Sequence, residues 1–188
     1  LVRWEYSKAG FPPDPYGLTT AERVRLAETC VDYLVTDAGI ELLAELELEG
    51  RPAFNERELQ HMVDVKQVLG WLLRAGLAAG LVVVLGAAAL GVRTRLYAPA
   101  ALLGGSLLTA ALLAVVGGLM LLRWELFFTG FHELFFAPGT WTFPYSDTLI
   151  RLYPEQFWAD VGLVIVGLIL LLAALVGGGA LLWSRQRK

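Results

Sequence analysis

Cysteine, histidine and charge are scarce in this 188-residue chain. Cys30 is the lone cysteine, which excludes a disulfide framework. Only 18% of the residues are charged and 56% are apolar. An average soluble domain is about 25% charged and about 45–50% apolar, so both shifts point toward a membrane. A polar, highly charged disordered chain is excluded as well. The net charge of −3 supplies no global basic field, so nucleic acid is not an expected partner. Nucleophile signatures are also missing: the chain contains no G-x-S-x-G elbow, Walker A, Rossmann or kinase pattern. Ser106 follows two glycines but lies inside a long apolar run. Cys30 has no activating pattern around it and reads as a buried structural thiol. If the chain is an enzyme, its nucleophile comes from the substrate.

What the chain does have is three apolar runs, Trp71–Val92, Pro99–Leu122 and Val161–Trp183. A bilayer span needs about 20 mostly apolar residues, and each run meets that length. Three such runs in so short a chain leave too little polar surface to cover them as soluble core helices. Residues 71–122 carry three arginines and no acid, whereas residues 1–70 hold 13 of the 18 acids. Arg93 and Arg95 lie between the first two runs, and Arg185, Arg187 and Lys188 follow the third. The positive-inside rule places both basic stretches in the cytoplasm, with residues 1–70 and 123–160 outside. An N-terminus outside needs a way across, and residue 1 is Leu with no signal-peptide pattern after it. We therefore expect an upstream segment, another transmembrane helix, that this sequence does not include.

The outer stretches carry readable local signals. Gly10-Phe11-Pro12-Pro13-Asp14-Pro15-Tyr16-Gly17 cannot be helix or central strand, since its prolines lack N–H donors and fix φ. It is expected to be an ordered loop that buries Phe11 and Tyr16. Thr19 and Glu22 have capping-box spacing, and apolar residues then repeat at helical spacing, which predicts an amphipathic helix over residues 20–36. Leu46-Glu47-Leu48-Glu49 alternates and runs into Gly50-Arg51-Pro52, a short strand with a turn. Asn55 and Glu58 form a second capping signature, and no proline follows until Pro99. One helix is expected from Glu56 to Val92, with His61 in its second turn, about 10–15 Å along the axis before Val68–Trp71.

Residues 123–158 hold 12 of the 21 aromatic side chains. Phe127, Phe128, Phe131 and Phe135 share one helical face. An aromatic belt in the headgroup layer is one explanation; the other is a wall for a lipid-bearing substrate. The two histidines, His61 and His132, fall in outer, membrane-proximal segments by separate arguments. Both could be interfacial side chains with ordinary hydrogen bonds. A metal site is a chemical rival: Glu58 and His61 stand at i, i+3, and His132-Glu133 could complete a His₂-carboxylate set. Glu58 is already explained as part of a cap, however, and no His-Glu-x-x-His occurs.

The chain resembles the bacterial lipoprotein intramolecular transacylases. The resemblance rests on Glu5-Tyr6 with Gly10–Gly17, and on the run from Asn55 to Lys66. It continues through Phe131-His132-Glu133-Leu134-Phe135-Phe136, Trp141-Thr142-Phe143-Pro144 and the run from Asp147 to Pro154. It implies an all-α polytopic membrane protein of the bacterial cytoplasmic membrane. The fold would be a transmembrane helical bundle of three visible spans and a fourth upstream, under a small extracytoplasmic cap. On that reading residues 1–70 are cap leading into the first span, and 71–122 are two transmembrane helices with a cytoplasmic link. Residues 123–160 are an aromatic-rich cap segment, and 161–188 are the last span with a basic tail.

The implied reaction moves the sn-2 acyl chain of a diacylglyceryl lipoprotein to the α-amino group of its N-terminal cysteine, giving the lyso form. Substrate lipoproteins and membrane lipids are the implied partners. No metal or cofactor is expected, and the resemblance assigns catalysis to His61 and His132. Histidine, with a pKa of about 6.5, can take the ammonium proton or return one to the leaving glyceryl oxygen. Trp124, Phe128, Phe131 and Trp141 are candidate substrate contacts. Arg123 and Arg151 could meet an oxyanion or the substrate peptide, or snorkel to the interface. Asp64, three residues after His61, could orient its ring or be a solvated carboxylate. The rival functions are a non-catalytic lipoprotein-binding scaffold and a metal-dependent membrane hydrolase.

Overall fold

The helix-start signals act where their chemistry puts them. In a computed structural model describing residues 1–93 and 97–185, Thr19 caps helix α2, Thr20–Val35. The Glu22 amide donates to the Thr19 hydroxyl, and the Thr19 amide donates to the Glu22 carboxylate. Asn55 does the same for α4, Glu56–Arg93: its Oδ1 accepts from the Glu58 amide at 3.0 Å, and its own amide donates to Glu58 Oε2 at 2.8 Å. Between them lie α3, Glu41–Ala44, and a hairpin of β1, Glu47–Leu48, with β2, Arg51–Pro52. The hairpin pairs Leu48 with Arg51 and turns through Glu49 and Gly50 at φ 52° and 76°. Positive φ at both central residues gives the twist that suits a two-residue connection.

The remaining elements are α1, Val2–Tyr6; α5, Tyr97–Leu122; α6, Trp124–Phe135; α7, Thr148–Leu152; and α8, Glu155–Arg185. Helix α5 begins two residues before the span expected from Pro99. The proline sits in its first turn, where its missing N–H costs nothing. Arg95, Arg187 and Lys188, which the orientation argument uses, lie outside the described residues, as does the side chain of Arg93.

Two compact units divide the chain. The first comprises Leu1–Trp71 and Gly130–Ala159. Leu26, Ala27, Cys30, Leu43 and Leu152 are its fully buried apolar residues. Helix α7 has only five residues, too short to stand alone, and side chains from other elements satisfy its ends. The Leu149 amide donates to Glu58 Oε1 of α4 at 2.6 Å. The Arg151 carbonyl accepts from the Arg23 guanidinium of α2 at 2.6 and 3.0 Å. The Leu152 carbonyl accepts from the Tyr6 hydroxyl of α1 at 2.6 Å. The proline-rich loop is non-helical as expected and packs Phe11 on Tyr6, with ring centroids 4.3 Å apart. Tyr16 differs from expectation: it stays half exposed, with the Arg151 guanidinium over its ring.

The second unit comprises Leu72–Thr129 and Asp160–Lys188. Three helices are long and apolar enough to cross a membrane, with mean hydropathies of 2.1, 2.2 and 2.8 over their best windows. Large apolar side chains such as Leu77, Val115 and Leu122 are more than 70% exposed in the bare chain. Surface of that kind is stable against lipid and not against water. Helices α5 and α8 approach closely at Gly177, where a Cβ would lie 3.2 Å from Cβ of Ser106. Small residues allow such a crossing.

Candidate active site

His61 is carried by the second turn of α4, within the charged stretch Glu56–Gly70 that precedes the apolar run starting at Trp71. Its side chain is held among rings. Phe136 lies 5.0 Å away and Phe143 5.3 Å away, centroid to centroid. His132, from the last turns of α6, lies 6.3 Å away with the two imidazoles inclined by only 20°. Phe136 also packs on His132 at 5.5 Å, so one phenyl ring touches both imidazoles. Trp141 at 4.8 Å and Phe131 at 5.5 Å also pack on His132. All of these residues belong to the first unit.

The environment fixes the protonation of His61. The residue is 8% exposed, and its Nδ1 is buried with no hydrogen-bond partner among the described residues. Burial among rings is the largest cause that pushes its imidazolium down to about 4; His132 adds to the effect, and Asp64 opposes it. At neutral pH the ring is therefore uncharged, with one nitrogen to accept a proton and one N–H to donate. Asp64 does not bond to Nδ1; its carboxylate accepts from Gln60 Nε2 at 3.0 Å.

The two oxygens of Glu58 accept from the Asn55 and Leu149 amides, so the cap and the α7 contact occupy the carboxylate that a metal site would require. No cluster of three or more His, Cys, Asp or Glu among the described residues is arranged to hold a metal ion.

The sequence-derived candidates fall in both units. His61, His132, Phe131 and Trp141 come together. Arg151 lies in the same unit but is 13% exposed and pairs with the fully buried Asp14 at 2.8 Å. Its guanidinium thereby holds the proline-rich loop, whose Asp14 also accepts from the Leu18 amide. Arg123, Trp124 and Phe128 belong to the second unit, where the Trp124 and Phe128 rings lie 5.8 Å apart. Sequence reasoning did not single out Phe136 or Phe143. Phe136 stands four residues after His132, a helical spacing that could have flagged it. Phe143 offers no such signal, because it reaches His61 from an irregular segment.

A family model described as lipoprotein intramolecular transacylase Lit matches residues 1–158, a stretch that includes both histidines. An uncharacterized protein of Aquifex aeolicus (strain VF5) is 34% identical over 177 residues, which cover 94% of this chain and 79% of that protein. No solved structure matches the chain.

Proposed function

Because the chain belongs to the lipoprotein intramolecular transacylase family Lit, we propose that it shifts an acyl chain within one diacylglyceryl lipoprotein, from the glyceryl sn-2 oxygen to the α-amino group of the N-terminal cysteine. The observation that carries the reading is the pair of imidazoles 6.3 Å apart that share Phe136. In the proposed reaction the amine nitrogen attacks the ester carbonyl carbon and a tetrahedral oxyanion forms. The carbon–glyceryl oxygen bond then breaks as the amide forms. One proton leaves the nitrogen and one reaches the released oxygen, so substrate and product have the same mass. One histidine takes the first proton and the other supplies the second.

The surroundings suit that task. A free α-ammonium loses its proton at about 7.7–8.0. An apolar site walled by Phe136, Phe143 and Trp141 penalises the charged ammonium and favours the nucleophilic amine, by the effect that keeps His61 neutral. Holding amine and ester together can supply up to about 7–11 kcal/mol of the barrier reduction when the two are well oriented. Phe131 and Trp141, packed on His132, contact the glyceryl group in this reading; Trp124 and Phe128 contact the substrate's lipid, and Arg123 meets the oxyanion or the substrate peptide. Arg151 acts through the loop it holds. The reaction occurs outside the bacterial cytoplasmic membrane, with residues 1–70 and 123–160 on that side.

The test expresses His61→Ala and His132→Ala in a host that makes diacylated lipoproteins and follows the lipopeptides by fragment-ion mass spectrometry. Each variant is expected to lose the N-acylated product by about 10²–10⁴-fold. Wild-type levels of product from either one would falsify the assignment.

A further inference from the structure

Arg57 lies one helical turn before His61 on α4, four residues and about 6 Å of rise away. Its guanidinium stands 5.7 Å from the centroid of Phe143, the same ring that packs edge-on against His61. Phe143 thus neighbours both side chains, with the cation over its face and the imidazole packed edge-on. The Arg57 side chain is 47% exposed, and its ion pair is a single contact to Asp147 Oδ2 at 3.4 Å. A guanidinium has five N–H donors in a planar fork. Among the described residues that one long contact engages a single donor of a side chain that is about half exposed, so the others can meet a ligand.

Its position along α4 tells which part of a substrate it would meet. The apolar run of α4 starts at Trp71, on the C-terminal side of His61, and Arg57 lies on the N-terminal, charged side. A diacylglyceryl lipopeptide has the same polarity: acyl chains at one end, the reacting amine and ester in the middle, a peptide at the other. With the reacting atoms at His61 and the acyl chains toward the apolar side, the peptide passes Arg57. Resting on the proposed acyl shift, we infer that Arg57 is a specificity-determining residue that donates to the backbone carbonyls of the peptide following the lipidated cysteine. Carbonyls are the only acceptors common to every such peptide, so the contact reads the presence of a peptide and not its sequence. A fork of donors stacked on a phenyl ring suits that role better than an ammonium.

The experiment compares two diacylglyceryl substrates with the purified full chain. One carries a tail of several residues after the cysteine, the other ends in a cysteine amide. Wild type is expected to favour the longer substrate in kcat/KM. In Arg57→Met that preference should shrink by about tenfold to a hundredfold, the range of a lost hydrogen bond to a charged group. Arg57→Lys should recover only part of it and serves as the second variant if Arg57→Met fails to fold by thermal unfolding. Absence of any preference in wild type overturns the inference while leaving the acyl shift standing. So does an equal loss on both substrates, which would assign Arg57 to the oxyanion or to a lipid phosphate. If wild type converts neither substrate, the acyl-shift reading itself fails and the inference falls with it.

Discussion

The imidazole of His61 titrates at about 6.5 in the unfolded chain and at about 4 in the folded protein. Between those values the unfolded chain carries the extra proton, so acid draws the equilibrium toward it. The contribution of His61 to stability is full above pH 6.5 and is lost as the pH falls to about 4, about 3 kcal/mol in all. Thermal unfolding in detergent, followed by tryptophan fluorescence at pH 7.5 and pH 5, measures this. Wild type should lose markedly more melting temperature on acidification than His61→Gln, and equal losses would contradict the burial argument. The residue scale is also where the site was most legible. Two histidines in the whole chain, both outside the three apolar runs, left few alternatives. The rings that surround them were legible only in part: Phe131 adjoins His132 and Phe136 stands four residues after it, whereas spacing does not place Phe143, which reaches His61 from an irregular segment. The partner of Arg151 was illegible for a related reason, since nothing local announces that Asp14, 137 residues away, pairs with it.

At the scale of elements, long helices and their starts were legible because they follow local chemistry. Thr19 with Glu22 and Asn55 with Glu58 mark two N-termini within one residue of where they form. Helices α1, α3 and α7, of five, four and five residues, escaped because so few residues show no periodicity. Contacts from distant residues sustain α7. The clearest of these is Glu58, which caps α4 and also binds the Leu149 amide at the start of α7. The double role predicts an unequal outcome for the two members of the cap. Asn55→Ala removes one acceptor and should cost about 1 kcal/mol. Glu58→Gln leaves one buried backbone amide facing an NH₂ group and should cost more, about 1–3 kcal/mol. Denaturant unfolding of the two variants ranks them. A smaller effect for Glu58→Gln would show that the α7 contact contributes nothing. Because both changes act on one turn, the double variant should fall short of the sum.

For the whole molecule the open physical question is which side of the bilayer each polar stretch occupies, and the cysteine content provides the means to answer it. Cys30 is fully buried in the first unit, and burial pushes its thiol up to about 12. The thiolate is the reactive form, so the native protein is silent to maleimides while folded. A single introduced cysteine then reports its own location. Glu45 and Arg185 are both exposed, Glu45 after α3 and Arg185 at the end of α8. Basic residues follow α8 and separate α4 from α5, and the acidic residues concentrate before Trp71. Under the positive-inside rule the proposed orientation puts Glu45 outside and Arg185 inside. An impermeant maleimide added to intact cells should label Glu45→Cys at once and Arg185→Cys only after permeabilisation, with the native chain unlabelled in both conditions. The reverse pattern would place His61 and His132 on the cytoplasmic side, away from lipoproteins that have already crossed, and the proposed acyl shift would lose its substrate.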